Sequence, residues 1–346
     1  SVVLGKVLVE NLGVTLTHEH LKIDFDKFYT PPPAHLSSYF GHEINIKNVG
    51  YVKQYPYSSR PNLHLFGGDV EEAIAQELAQ FKKFGGGTIV ENTSHGLSRD
   101  PALYVRLSKQ TGVHIVVGTG HYVADVQDAS VLNSSVQKLY NTIKKDFEEG
   151  CTECESVKCG FIGEVGSGWP IKEFEKRCIK AAGEAQADLG CAVSFHPGRH
   201  PGAPSEIIRL YTEAGGALDK AVMSHLDRTL VTDEQLLDFA SLGCYCQFDL
   251  FGTECSHYQL NPIQDMLSDA QRIDKIIKLI DDGRLAKITI SHDIHTRHRL
   301  VNFGGHGYSH ILNNVVPKMV IKQMEKSAID TIMVENPLAW LSCKKL

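Results

Sequence analysis

The chain has 346 residues, 42% of them hydrophobic, and 35 basic against 41 acidic side chains give a formal net charge of -6; this is enough apolar material for a large core and too much for a disordered chain. Lysine and arginine are dispersed without a basic run, which argues against nucleic acid and anionic membrane surfaces as partners. No apolar stretch approaches the roughly 20 residues that span a bilayer, the opening SVVLGKVLVENLG lacks the basic-then-apolar order of a signal peptide, and nine scattered cysteines fit reduced thiols, so a cytosolic chain is expected.

The first strand is read over 14–17, where Val14 and Leu16 lead into His18 and His20 of THEH. The next stretch, 22–68, holds Pro31, Pro32 and Pro33 and then Tyr51, Tyr55, Tyr57, Arg60 and His64; connections of this length usually serve as lids over a site. A helix is predicted over 70–84 from Ile74, Leu78 and Phe81, and Gly85, Gly86 and Gly87 are read as its stop. Strands follow at 88–92, 113–119, 159–165, 191–195, 221–224, 244–249 and 287–291, separated by helical periodicity such as Ile273, Ile276, Ile277 and Ile280 within 264–282. The histidine- and glycine-rich stretch 292–310 follows the last strand. Eight strands alternating with helices predict a (β/α)8 TIM barrel spanning 1–346 as a single domain, with 22–68 as an insertion after the first strand. The rival is a doubly wound open sheet; its usual dinucleotide-binding form is excluded because no Gly-x-Gly-x-x-Gly follows the first strand.

In a parallel barrel all strand ends meet at one rim, so residues distant in sequence become neighbours there. Those ends carry His18 and His20, Glu164 in FIGEVG, His196 in SFHPG, His225 in MSHLD and Asp293 in ISHD. Side chains at i and i+2 of a strand share a face, so His18 and His20 project together. Four imidazoles and two carboxylates suit zinc-like divalent ions better than calcium. Six donors exceed one tetrahedral site, and two ions sharing a carboxylate use them economically.

These motifs resemble the metal-binding pattern of the amidohydrolase superfamily, specifically its phosphotriesterase-like branch, and the likeness runs from about Gly5 to Glu335, Asn336 and Pro337. The resemblance implies a binuclear hydrolase in which Glu164 bridges the ions, His18, His20 and Asp293 complete the buried one, and His196 and His225 complete the outer one. Glu164 stands where the founding phosphotriesterase has a carbamylated lysine. A hydroxide shared by two cations is a strong nucleophile at neutral pH, because the ions lower the pKa of bound water from about 16 to about 7. Asp293 is then the catalytic residue, taking the proton and passing it to the leaving group.

The resemblance further implies an N-acyl amino-sulfonate substrate, N-acetyltaurine, or a related N-acyl amino acid, cleaved to amine and acid. Alternatives are a lactonase or phosphotriesterase on the same centre, or a non-catalytic metabolite-binding homologue. A small anionic substrate needs cationic donors, and the candidates are Arg60, His64, Arg199, His200, Arg228, His295 and His298, with Arg297 and Arg299 nearby in sequence. Asn92 and Tyr122 are candidates for the acyl end. A monomer or homodimer is expected. Cys151, Cys154 and Cys159 lack a fourth partner for a structural zinc.

Overall fold

The computed structural model describes residues 1–255 and 257–343. Eight parallel strands, β1 (Val14–Glu19), β2 (Gly86–Glu91), β3 (His114–Thr119), β4 (Phe161–Gly166), β5 (Ala192–His196), β6 (Ala221–Met223), β7 (Tyr245–Phe248) and β8 (Ile288–Ile290), pair in sequence order. They form a nearly closed barrel: β8 meets β1 through the Asp293 N–H donating to His18 O at 3.1 Å and the His18 N–H donating to Ser291 Oγ at 3.0 Å. All strands are buried almost throughout, as expected of a parallel sheet covered by helices. The open-sheet rival is thereby set aside.

The covering helices are α1 (Gly68–Lys83), α2 (Pro101–Thr111), α3 (Val136–Glu148), α4 (Glu173–Leu189), α5 (Ala203–Glu213), α6 (Asp233–Ala240) and α7 (Asp269–Asp281), and shorter helical pieces from Ile311 onward follow β8. Their ends follow local chemistry. Ser268 accepts from the Gln271 N–H to cap α7, and α2 and α4 stop at Gly112 and Gly190 in the left-handed region. The glycine run 85–87 does more than stop α1. A Cβ on Gly86 would lie 2.4 Å from the Phe81 ring, and one on Gly87 would lie 2.1 Å from Leu12 O, so β2 can enter the barrel only without side chains there.

The two ends of the barrel differ. At the N-terminal mouth Trp340 is fully buried with Phe161, Val90, Val116, Val222 and Leu12, and its Nε1 donates to Val193 O and Lys220 O. Above the opposite rim lie 22–68 and the segments after β7 and β8. Within 22–68, Ile23–Asp24 pairs antiparallel with His64–Leu65, which closes the excursion on itself. The Gln259 side chain accepts from the Tyr57 N–H at 2.9 Å and donates to Ser58 Oγ at 2.9 Å, tying this insertion to the segment after β7. No helix among the described residues is long and apolar enough to cross a membrane.

Candidate metal centre

The rim of β1, β4, β5, β6 and β8 gathers His18, His20, Glu164, His196, His225 and Asp293 into one buried cluster. His20 Nε2 lies 3.2 Å from Asp293 Oδ1 and 3.7 Å from Glu164 Oε1. His18 Nε2 lies 3.6 Å from Glu164 Oε2 and 3.8 Å from Asp293 Oδ1. Glu164 Oε2 also approaches His196 Nδ1 at 3.0 Å and His225 Nε2 at 3.6 Å, so this one carboxylate faces all four imidazoles. His225 (φ 56°) and Asp293 (φ 53°) both take left-handed backbone where the chain turns off the strand, a conformation uncommon outside glycine.

The residues fit divalent ions. His18 Nε2 is buried, faces two carboxylates and has no hydrogen-bond partner; an unpaired buried nitrogen is costly unless something occupies its lone pair. Burial pushes the His18 imidazole down to about 3 and those of His196 and His225 well below their ordinary value, keeping them in the neutral form that binds metal. Burial, then the neighbouring Asp293 and Asp249, pushes the Glu164 carboxyl well up, a penalty that cations would relieve.

Three imidazoles are oriented by their other ring nitrogen. His20 Nδ1 meets Thr93 Oγ1 at 2.9 Å, His18 Nδ1 meets Ser224 Oγ at 3.1 Å, and His225 Nδ1 meets Asp249 Oδ1 at 2.7 Å. Such acceptors fix the tautomer that leaves Nε2 free to ligate. His196 differs: its Nε2 faces Arg228 Nη2 at 3.3 Å and the Tyr122 hydroxyl at 3.2 Å, and its Nδ1 faces the cluster. Asp249, at the end of β7, is the residue the sequence reading missed. It also accepts from the His225 N–H and lies 3.5 Å from His18 Nδ1.

A cavity of about 260 Å³ opens onto the cluster. Of the sequence candidates, Tyr122, Arg199, Arg228, His295 and His298 line it, as does Arg299. Four others do not. Arg60 is exposed, paired with Asp26 and stacked over Tyr29; His64 faces Asp24 and Asp26 and stacks on Phe66. Asn92 is inside the barrel, donating to Thr17 O and Val90 O. His200 stacks on Trp169 beside a neighbouring cavity. Arg297 is likewise spent on His64 O, Phe66 O and Glu43. Local ion pairs and backbone bonds claim these side chains before a ligand can. Tyr57 and Phe25, from the insertion, and Tyr258, from the segment after β7, complete the aromatic wall.

Cys151 and Cys159 do meet, Sγ to Sγ 3.5 Å, beside Asp146. The Arg99 guanidinium already donates to Asp146 and lies 3.6 Å from Cys159 Sγ, so the cluster holds its own cation.

The model of the phosphotriesterase family matches residues 1–341. A phosphotriesterase-related protein of Drosophila ananassae is 51% identical over 341 residues, covering 98% of this chain and 97% of the relative. Among solved structures, a resiniferatoxin-binding protein from Rhodobacter sphaeroides superposes with a TM-score of 0.93 at 27% identity, covering 99% of this chain and 94% of that one. A phosphotriesterase-like lactonase from Deinococcus radiodurans, a mutant form, gives 0.77 at 19% identity, with 99% of each chain covered, a likeness of fold alone. The rim cluster, the barrel that gathers it and this full-length match agree: the chain belongs to the phosphotriesterase family.

Proposed function

We propose that the protein is a binuclear metal-dependent amidohydrolase that cleaves small anionic N-acyl amines, N-acetyltaurine foremost, to the free amine and carboxylic acid. His18, His20, Glu164 and Asp293 would hold one divalent ion and Glu164, His196 and His225 the other, zinc being the ion the donor set suits best. Bound there, the ions supply acidification of a coordinated water and polarisation of the scissile carbonyl. Asp293 handles the proton: its Oδ1 faces the cluster and its Oδ2 lies 3.2 Å from His295 Nδ1, so it can receive a proton at one oxygen while the imidazole orients the other. Protonating the departing nitrogen is the step an amide needs and a lactone does not.

The observation that carries the substrate class is charge. Arg199, Arg228 and Arg299 all line the cavity, and among the described residues no carboxylate pairs with any of them. Buried cations without counter-ions favour a substrate that brings its own negative charge. The cavity volume suits a small molecule, and the Drosophila relative supports the family-level chemistry. All nine cysteines are free, which supports a reducing, cytosolic setting. A lactonase or phosphotriesterase on the same residues is the competing reading.

Purified, metal-loaded protein should be assayed side by side on N-acetyltaurine, an acyl-homoserine lactone and an aryl phosphotriester. The amide is expected to give the highest kcat/KM, and lactone turnover with negligible amide turnover would overturn the proposal. Asp293→Asn should lower kcat by at least about 100-fold with the fold retained.

A further inference from the structure

Resting on the reading of an anionic N-acyl substrate, we propose that Arg199 is the receptor for the substrate's acid group and that Tyr258 positions it. The three cavity arginines differ in how far their guanidinium groups are already engaged. Arg228 donates to Thr229 Oγ1 and Pro197 O and faces His196. Arg299 donates to Asp293 O and His292 O, holding the turn that carries the catalytic aspartate. Arg228 therefore spends both terminal nitrogens on the metal rim and Arg299 spends one there, its Nε being buried and unpaired, whereas Arg199 spends neither terminal nitrogen on the rim.

Its Nε is fixed at 2.6 Å to the Tyr258 hydroxyl, the guanidinium lies 5.5 Å from that ring's centroid, and its two terminal nitrogens have no partner among the described residues. One edge of the plane is held and the other is open. This leaves the terminal N–H groups free for two parallel charge-assisted hydrogen bonds to a sulfonate or carboxylate, a geometry that an ammonium group cannot reproduce. Arg199 also lines both the main cavity and the adjoining one, together with Tyr122 and His196. It thus occupies the wall shared by the two cavities and makes no hydrogen bond to a metal-ligand candidate. The Asn261 side chain donates to Arg199 O at 3.4 Å, so the segment after β7 clamps both ends of the residue.

The test compares wild type, Arg199→Met, Arg199→Lys and Tyr258→Phe on N-acetyltaurine and on its uncharged analogue N-propylacetamide, with metal content measured for each. Arg199→Met is expected to raise KM for the sulfonate by about 100-fold with kcat changed less than about threefold. It should leave kcat/KM for the neutral amide and the metal content unchanged. Arg199→Lys should recover only part of the loss, and Tyr258→Phe should raise KM about tenfold without lowering kcat. An unchanged KM, or equal losses on both amides, would overturn the assignment. Should wild type hydrolyse neither amide, the amidase reading fails separately. Calorimetric binding of ethanesulfonate then decides Arg199: binding lost in Arg199→Met supports the receptor, and absent or unaltered binding rejects it.

Discussion

Asp249 shows how much a single buried carboxylate can govern. It takes the His225 Nδ1–H and N–H, receives Gln247 Nε2 at 2.7 Å and lies 3.5 Å from His18 Nδ1, so it orients one imidazole directly and borders a second on another strand. Asp249→Asn keeps the shape but presents an amide that can donate where an acceptor is required. We expect it to weaken metal affinity by about 10- to 100-fold, measured by competition with a chelating dye, with the circular dichroism spectrum retained. Unaltered affinity would remove Asp249 from the centre. The residue closes a predicted strand, yet nothing in QFDLFG distinguishes it, because its importance arises only when β7 lies beside β6. The six candidate ligands at the rim were legible for the opposite reason: they sit at the ends of five apolar runs. Arg60, His64 and His200 were misplaced because sequence position tells that a cation is near the rim, not that Asp26 or Trp169 has already engaged it. Glu164 adds a further expectation. Burial and two neighbouring carboxylates raise its pKa, and bound cations would lower it again, which favours proton release on metal entry. Calorimetric titration of the metal-free protein in buffers of different ionisation enthalpy should show net proton release, and no buffer dependence would contradict this.

At the scale of elements, the strand ends are unequal hosts. β1 and β6 present imidazoles locked by Thr93, Ser224 and Asp249, but the imidazole at the end of β5, His196, meets Arg228 and Tyr122 at its second nitrogen. A guanidinium only donates, so unlike Thr93, Ser224 and Asp249 it offers no acceptor that fixes the proton on that second nitrogen. The ion held partly by His196 should therefore be the weaker one. Stepwise dialysis against a chelator, followed by metal analysis, is expected to remove one equivalent well before the other; simultaneous loss of both would contradict the difference. Periodicity made β1 to β8 and the long helices readable, since their apolar positions repeat over many residues. It could not reveal the Ile23–Asp24 and His64–Leu65 pair, two residues long and about forty apart, nor the Gln259 tie between the insertion and the segment after β7.

For the whole molecule, the barrel separates stability from chemistry. Its lower mouth is sealed by Trp340 against Phe161 and the first residues of several strands, and its upper rim is left to polar, strained and incompletely satisfied groups. Trp340→Ala should cost about 3–5 kcal/mol, read from urea unfolding, while the folded fraction keeps its kcat. A large loss of kcat in folded protein would show that the two ends are coupled. The link from the rim to one reaction is tested most directly by following acetate release from N-acetyltaurine as metal-free protein receives increasing equivalents of zinc. Turnover should be absent without metal and should rise to a plateau at two equivalents per chain. Full turnover in the metal-free protein, or saturation of both sites with no acetate released, would contradict it.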